Sequence, residues 1–143
     1  MLLDLTDFQP ILAQQQAQLY IWDGIRGKYI LLTPEEWVRQ AIIDYLAQNG
    51  YPKNLMQVEK NIAYPRRKKR PDIICYDRVG EPFLLVECKA QAIALNENTL
   101  IQAQTYNWVV QAPYMAITNG REIIVYEKAS LVVLNNLPTY PII

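Results

Sequence analysis

The chain has 143 residues, of which 51% are hydrophobic, and 14 Lys or Arg balance 14 Asp or Glu to give a formal net charge of zero. This length and composition predict one globular domain, spanning residues 1–143, with a buried core and no global field that would attract polyanions. The chain has no histidine, which excludes Ser-His-Asp and Cys-His catalysis and the usual histidine-bearing zinc sites, and leaves carboxylates, lysine and a hard cation.

Neither membrane insertion nor secretion is expected. No apolar stretch approaches the roughly 20 residues of a membrane helix, and the first residues lack a basic region followed by a long apolar one. Cys75 and Cys88 both lie in apolar runs, so we interpret them as reduced core residues rather than a disulfide or metal pair. These features predict a cytoplasmic protein.

Residues 1–31 are interpreted as an N-terminal extension. Residues 1–17 carry a weak amphipathic pattern, which fits either a short helix or a loosely held arm. Residues 19–32 predict two short strands around a turn at Gly24 to Gly27, and thus a β-hairpin.

The clearest helix is predicted over residues 33–49. Thr33 is an N-cap candidate, Pro34 suits the first helical position, and Glu36 completes a Thr-x-x-Glu capping box. The following residues recur at helical spacing: Val38, Ala41, Ile42, Tyr45 and Leu46.

The remaining pattern predicts further strands and one more helix. Strands are expected at residues 55–64, 73–76 and 83–86, a helix from 96 to 111, a strand pair at 113–127 around an Asn-Gly turn, and an edge strand at 131–134. This order predicts an α/β fold with an αβββαβ core at about residues 32–127 and a central mixed β-sheet flanked by helices. The three tryptophans, Trp22, Trp37 and Trp108, are interpreted as core aromatics.

Three charged residues lie at the ends of two otherwise apolar strands: Asp72, Glu87 and Lys89. Side chains alternate along a strand, so Glu87 and Lys89 are expected on one face and Cys88 on the other. If the turn at residues 77–82 is symmetric, opposed residues have numbers that sum to 159, which sets Asp72 opposite Glu87. Directly opposed residues have Cβ atoms about 4.5–5.5 Å apart.

Two carboxylates this close repel unless a cation lies between them. Oxygen ligands with open positions suit Mg²⁺, which usually keeps several waters and takes one or two protein carboxylates. Solvated charges at strand ends account for the same residues without a function. The hairpin by itself leaves both interpretations open.

The neighbourhood of the hairpin resembles a known superfamily. Pro71-Asp72, followed after fourteen residues by Glu87-Cys88-Lys89, resembles the PD-(D/E)xK nuclease signature. With the later segments QAQTY and PYMAITNG, the stretch RPDIICYDRVGEPFLLVECKA resembles the N-terminal nuclease domain of type I restriction enzyme R subunits and its stand-alone relatives, from about residue 32 to 126. The resemblance implies a restriction-endonuclease-like fold and hydrolysis of DNA phosphodiesters with Mg²⁺, for which Mn²⁺ substitutes.

The resemblance also implies roles for individual residues. Asp72 and Glu87 would be metal ligands, together with the backbone carbonyl of Cys88. Lys89 would hold or help to deprotonate the attacking water.

Further candidates also have an explanation without catalysis. Gln102 and Tyr106 match the family's glutamine–tyrosine motif and share a helix face, where they would support the lysine or contact DNA, although an ordinary helix pair has the same spacing. Some relatives add a glutamate from the first helix, for which Glu35 and Glu36 are candidates, but helix capping explains both. Glu59 is either a further metal ligand or an exposed strand charge.

A basic run, residues 66–70, directly precedes Asp72. Its position favours contacts between Lys69 or Arg70 and DNA phosphates, which orient DNA without reading its sequence. A solvated loop is the alternative interpretation.

The leading hypothesis from the sequence is a metal-dependent DNA endonuclease. The alternatives are a non-catalytic nucleic-acid-binding module and a nuclease-fold subunit that needs a partner. The chain contains no Gly-x-x-x-x-Gly-Lys-Ser/Thr pattern, so an ATP-driven motor would come from another polypeptide. A homodimer, or association with partner motor and specificity subunits, is compatible with the residues.

Overall fold

The structure, a computed structural model, describes residues 1–59 and 70–142. Its α-helices are α1 (Pro34–Gln48) and α2 (Glu97–Val110), and a 3₁₀ turn covers Lys53–Leu55. The strands are β1 Leu12–Gln15, β2 Gln18–Asp23, β3 Lys28–Leu31, β4 Met56–Val58, β5 Ile73–Tyr76, β6 Pro82–Cys88, β7 Tyr114–Thr118, β8 Ile123–Glu127 and β9 Val133–Leu134.

Strands β4 to β9 form one six-stranded sheet in chain order. β6 and β7 are parallel, because α2 carries the chain back across the sheet between them, and the other neighbouring strands pair antiparallel. The predicted α/β fold with a mixed central sheet and flanking helices is therefore confirmed. The strand predicted at residues 55–64 is described as β4, and residues 60–64 lie outside the described residues.

The two helices cover opposite faces of this sheet. The α1 face packs a large apolar cluster that includes Val38, Ile42, Leu46, Ile73, Leu84, Val86 and Val125. The α2 face packs a smaller cluster that includes Leu85, Ala103, Tyr106 and Ile117. Cys75 and Cys88 are free thiols buried in the larger cluster, as expected for core cysteines.

The prediction of a short helix or loose arm at residues 1–17 is wrong. Residues 12–15 form β1, which pairs with β2 through a two-residue turn at Gln16 and Ala17 to give a three-stranded sheet with β3. Gln16 adopts a φ of 55°, a conformation that hairpin turns usually assign to Gly, Asn or Asp. Because those residues are absent from the turn, the usual sequence signal for a hairpin is absent too.

The first residues of the chain are also held in place. The backbone N–H of Leu3 donates to the Arg121 carbonyl at 2.9 Å, and the N–H of Ile123 donates to the Met1 carbonyl at 2.9 Å. The N-terminal segment therefore lies along the start of β8.

The prediction that the three tryptophans are core residues is wrong for Trp22 and Trp108 but agrees with the packing of Trp37 against the core. Trp108 is 77% exposed and Trp22 is 37% exposed, whereas Trp37 is partly buried and packs edge-on against Phe8. Helix α2 buries the face that carries Ala103 and Tyr106, and Trp108 lies outside that face.

The end of α2 depends on a buried asparagine. Asn107 donates through Nδ2 to the Ala112 carbonyl at 2.9 Å and accepts the Ala112 N–H through Oδ1 at 2.8 Å, while the left-handed Gln111 ends the helix. These bonds orient the segment that enters β7, which lies beside the strand that carries Glu87.

We expect Asn107→Ala to lower the free energy of unfolding by about 1–3 kcal/mol, because it leaves a buried backbone N–H and carbonyl unsatisfied. Urea denaturation measures this change. Asn98→Ala, an exposed asparagine on the same helix, is the control and should change stability by much less. Equal stabilities for the two variants would contradict the role of Asn107.

None of the helices in residues 1–59 and 70–142 has both the length and the apolar character that a bilayer-crossing segment needs.

Candidate active site

The β5–β6 hairpin sets Asp72 beside Glu87. Partners at this end of the hairpin are Ile73 with Val86 and Ile74 with Leu85, so their numbers sum to 159 as predicted. The predicted symmetric turn is wrong, because the Asp77 N–H bonds to the Glu81 carbonyl.

Two departures from the symmetric hairpin cancel. The turn is one residue shorter than expected, and a register shift between Cys75 and Tyr76 makes Tyr76 pair with Pro82. The shift restores the expected pairing from Cys75 towards Asp72.

Hydrogen bonds from the backbone hold the carboxyl groups of Asp72 and Glu87 close together. The Asp72 N–H donates to Glu87 Oε1 at 3.2 Å, and the Cys88 N–H donates to Asp72 Oδ2 at 2.8 Å. Asp72 is 5% exposed and Glu87 is 2% exposed, so both carboxyl groups are held within the protein. The backbone thus anchors each acid close to the other.

Ionisation of Glu87 beside Asp72 is unfavourable in this buried environment. Burial, followed by the neighbouring charge of Asp72, raises the pKa of Glu87 from its ordinary value of 4.5 to about 9. Hydrogen bonding from the Asp72 N–H and the charge of Lys89 oppose this shift without cancelling it. A cation near Glu87 would favour its ionised form.

Lys89 comes directly after β6, and a residue of α2 orients its side chain. Its Nζ donates to Gln102 Oε1 at 2.9 Å, and Gln102 Nε2 donates to the Tyr106 hydroxyl at 3.4 Å. The Lys89 N–H also bonds to the Thr118 carbonyl of β7 at 2.8 Å. The predicted proximity of Lys89, Gln102 and Tyr106 is therefore present.

These residues open onto one pocket of about 450 Å³. It is lined by Glu35, Arg39, Glu59, Arg70, Asp72, Glu87, Lys89, Gln102 and Tyr106. Cys88 packs in the α1-side cluster, so the expected alternation along β6 is observed. The structure thus brings the three signature residues and the glutamine–tyrosine pair together.

Sequence reasoning missed Arg39, which lies 5% exposed at the centre of the charged groups. Its Nη2 and Nε donate to Asp72 Oδ1 at 2.6 and 3.2 Å. Burial tends to lower the pKa of Arg39, but the adjacent Asp72 and Glu36 charges outweigh burial and raise it. A sequence signal existed, since Arg39 lies one turn before Ile42 and Ile43 on the buried side of α1.

Glu36 takes part in structural ion pairs. The Thr33 hydroxyl accepts the Glu36 N–H at 3.0 Å, which confirms the predicted N-cap. The Glu36 carboxylate accepts bonds from Arg39 Nη1 at 2.5 Å, Gln40 Nε2 at 3.0 Å and Arg26 Nη2 at 3.1 Å. Glu36 is not among the residues that line the pocket.

Glu59 and Glu35 do line the pocket. Glu59 pairs through Oε1 with Arg39 and through Oε2 with Arg26, each at 3.1 Å. The Glu35 side chain is 49% exposed and lies 3.7 Å from Arg39 Nη2. Burial, followed by the charge of Asp72, raises the pKa of Glu35.

Arg26 is a second residue that sequence reasoning missed. It belongs to the turn between β2 and β3 and also pairs with the fully buried Asp23. Its bonds to Glu36 and Glu59 connect the N-terminal sheet to the candidate site.

The predicted DNA contacts are described only in part. Arg70 lines the pocket, which agrees with its predicted position near Asp72. Lys69 and the other basic residues at 66–68 lie outside the described residues.

The donor chemistry fits a hard divalent cation. Of the described residues that line the pocket, four carry a carboxyl group: Glu35, Glu59, Asp72 and Glu87. Across residues 1–59 and 70–142, no group of three or more Asp, Glu or Cys side chains is arranged to hold a metal ion. An open site with two carboxylates is typical of Mg²⁺, which retains waters, and does not suit structural zinc.

The mixed sheet, its two helices and the Asp72–Glu87–Lys89 arrangement define a restriction-endonuclease-like core. Residues 34–138 match the family described as type I restriction enzyme R protein N terminus (HSDR_N), and the chain belongs to this family. The match covers more than half of the chain and includes every residue that lines the pocket. A search of curated proteins finds no match. The chain is therefore a restriction-nuclease-like domain.

Proposed function

We propose that this domain is a Mg²⁺-dependent DNA endonuclease. The observation that carries the proposal is the convergence of Asp72, Glu87 and Lys89 on one pocket. Membership in a restriction enzyme family supports a nuclease, and DNA as the substrate.

Each residue has a role that follows from its position. Asp72 and Glu87 would hold Mg²⁺ with the backbone carbonyl of Cys88, and Glu59 or Glu35 would hold its coordinated waters. When bound there, Mg²⁺ supplies a Lewis acid that neutralises phosphate charge and favours ionisation of the attacking water.

Lys89 orients the attacking water and offsets charge on the scissile phosphate. Gln102 accepts one of the three Nζ protons and so directs the remaining donors. Tyr106 in turn supports Gln102. Arg70, at the rim of the pocket, binds the DNA backbone, as we also propose for Lys69.

We expect the purified protein to nick or linearise supercoiled plasmid DNA in Mg²⁺ or Mn²⁺ and to be inactive in EDTA. Agarose electrophoresis of plasmid forms over time measures the reaction. Asp72→Ala, prepared in parallel, removes a metal ligand and controls for contaminating nuclease, so it should be inactive in every buffer.

Binding without cleavage would favour a different function. If the protein shifts labelled DNA in a salt-sensitive manner but cuts it with neither metal, the domain is a nucleic-acid-binding module. Cleavage that appears only on addition of motor and specificity subunits would indicate a nuclease subunit that depends on partners.

A further inference from the structure

Arg39 occupies the oxygen of Asp72 that a metal ion would need. Oδ2 of Asp72 already accepts the Cys88 N–H at 2.8 Å, and Oδ1 accepts Nη2 and Nε of Arg39 at 2.6 and 3.2 Å. A divalent cation bound to Oδ1 would lie close to the positively charged guanidinium. Binding of either cation to Oδ1 of Asp72 therefore weakens binding of the other.

Arg39 has other partners that would keep its charge compensated. Nη1 lies 2.5 Å from Glu36 Oε1, while Nη2 lies 3.1 Å from Glu59 Oε1 and 3.7 Å from Glu35 Oε1. Arg26 also pairs with Glu36 and Glu59, each at 3.1 Å. The guanidinium can thus release Asp72 and remain within a shell of three carboxylates.

A direct contact between Arg39 and DNA does not fit this geometry. Its side chain is 5% exposed and its donors all face carboxylates of the protein. A phosphate-binding arginine presents its donors towards solvent and the incoming anion.

We propose that Arg39 is a built-in counter-ion that competes with the divalent cation for Asp72. It stabilises the metal-free protein and lowers its affinity for the cation, and it moves onto Glu35, Glu36 and Glu59 when the cation binds. Arg39 is thus a positioning residue that acts through Asp72. This inference rests on the metal site of the proposed function.

The test compares Mn²⁺ binding to metal-free parent and Arg39→Gln protein without DNA, by isothermal titration calorimetry. We expect Arg39→Gln to bind Mn²⁺ about tenfold or more tightly, because a nearby positive charge is removed. In EDTA the same variant should unfold at a lower temperature, since Asp72 loses its partner. A purely structural role would weaken Mn²⁺ binding or leave it unchanged.

Arg78→Gln is the matched control. It removes the same charge at the β5–β6 turn, where Arg78 is exposed and lies over the Tyr140 ring at the far end of the hairpin. Its Mn²⁺ affinity should equal that of the parent.

Each remaining outcome also decides the proposal. Equal or weaker Mn²⁺ binding by folded Arg39→Gln overturns this inference alone, whereas absence of binding by both proteins overturns the metal site and the inference together. If Arg39→Gln does not fold, Arg39→Met replaces it, because methionine also removes the positive charge and its unbranched, flexible side chain adapts to a buried position. Tighter Mn²⁺ binding by the methionine variant supports competition, and equal or weaker binding overturns it.

Discussion

Lys89→Met is expected to slow plasmid cleavage by about 100-fold or more, the usual contribution of a positioned proton-transfer group. Methionine preserves much of the side-chain volume but cannot orient water or offset phosphate charge. Asp72 and Glu87 are unchanged, so Mn²⁺ binding should persist. Single-turnover cleavage assays and calorimetry on the same preparation measure the two properties.

Lys128→Met is the matched control for this experiment. Lys128 Nζ donates to Gln111 Oε1 at 2.8 Å, so the variant breaks an exposed lysine–glutamine bond of the same kind outside the pocket. It should cleave like the parent. Cleavage by Lys89→Met at the parent rate would remove Lys89 from the proposed mechanism.

Glu87→Gln should stabilise the metal-free protein above about pH 5. Folding raises the pKa of Glu87 from 4.5 to about 9, so its contribution to stability is fully present below pH 4.5 and is lost as the pH rises towards 9. One linked proton corresponds to about 1.4 kcal/mol for each pH unit. Glutamine does not titrate, so the stability difference between variant and parent should grow across this range.

Urea unfolding in EDTA at about pH 5, 7 and 9 measures this difference. Glu81→Gln is the control, because Glu81 is exposed in the turn at the other end of the hairpin. If the two variants show the same pH dependence as the parent, Glu87 is ionised in the metal-free protein. Glu87→Gln should also lose Mn²⁺ binding, because its neutral amide replaces a proposed carboxylate ligand.

Much of the fold could be predicted because its signals are local. The Thr33 cap and the periodic apolar residues define α1, and the Asn119-Gly120 turn defines the β7–β8 hairpin. Gln16 shows the limit of such signals. Its turn uses a residue with little preference for positive φ, so the β1–β2 hairpin depends on pairing within the N-terminal sheet.

The prediction that Asp72 faces Glu87 was correct for a reason that the sequence did not contain. The expected turn is one residue too long, and a register shift beside Tyr76 compensates for this difference. Such a shift depends on how the whole strand packs against its neighbours. The residue types at that position do not predict it.

The sequence by itself determined which groups can perform chemistry and how they are spaced along each element. Alternation along β6 sets Glu87 and Lys89 on one side, and helical spacing sets Gln102 beside Tyr106. Only the tertiary structure decided that Arg39 of α1 and Arg26 of the N-terminal sheet meet the carboxylates. Ion pairs between residues distant in the chain form only when packing buries opposite charges together, and buried charges persist only when they are paired.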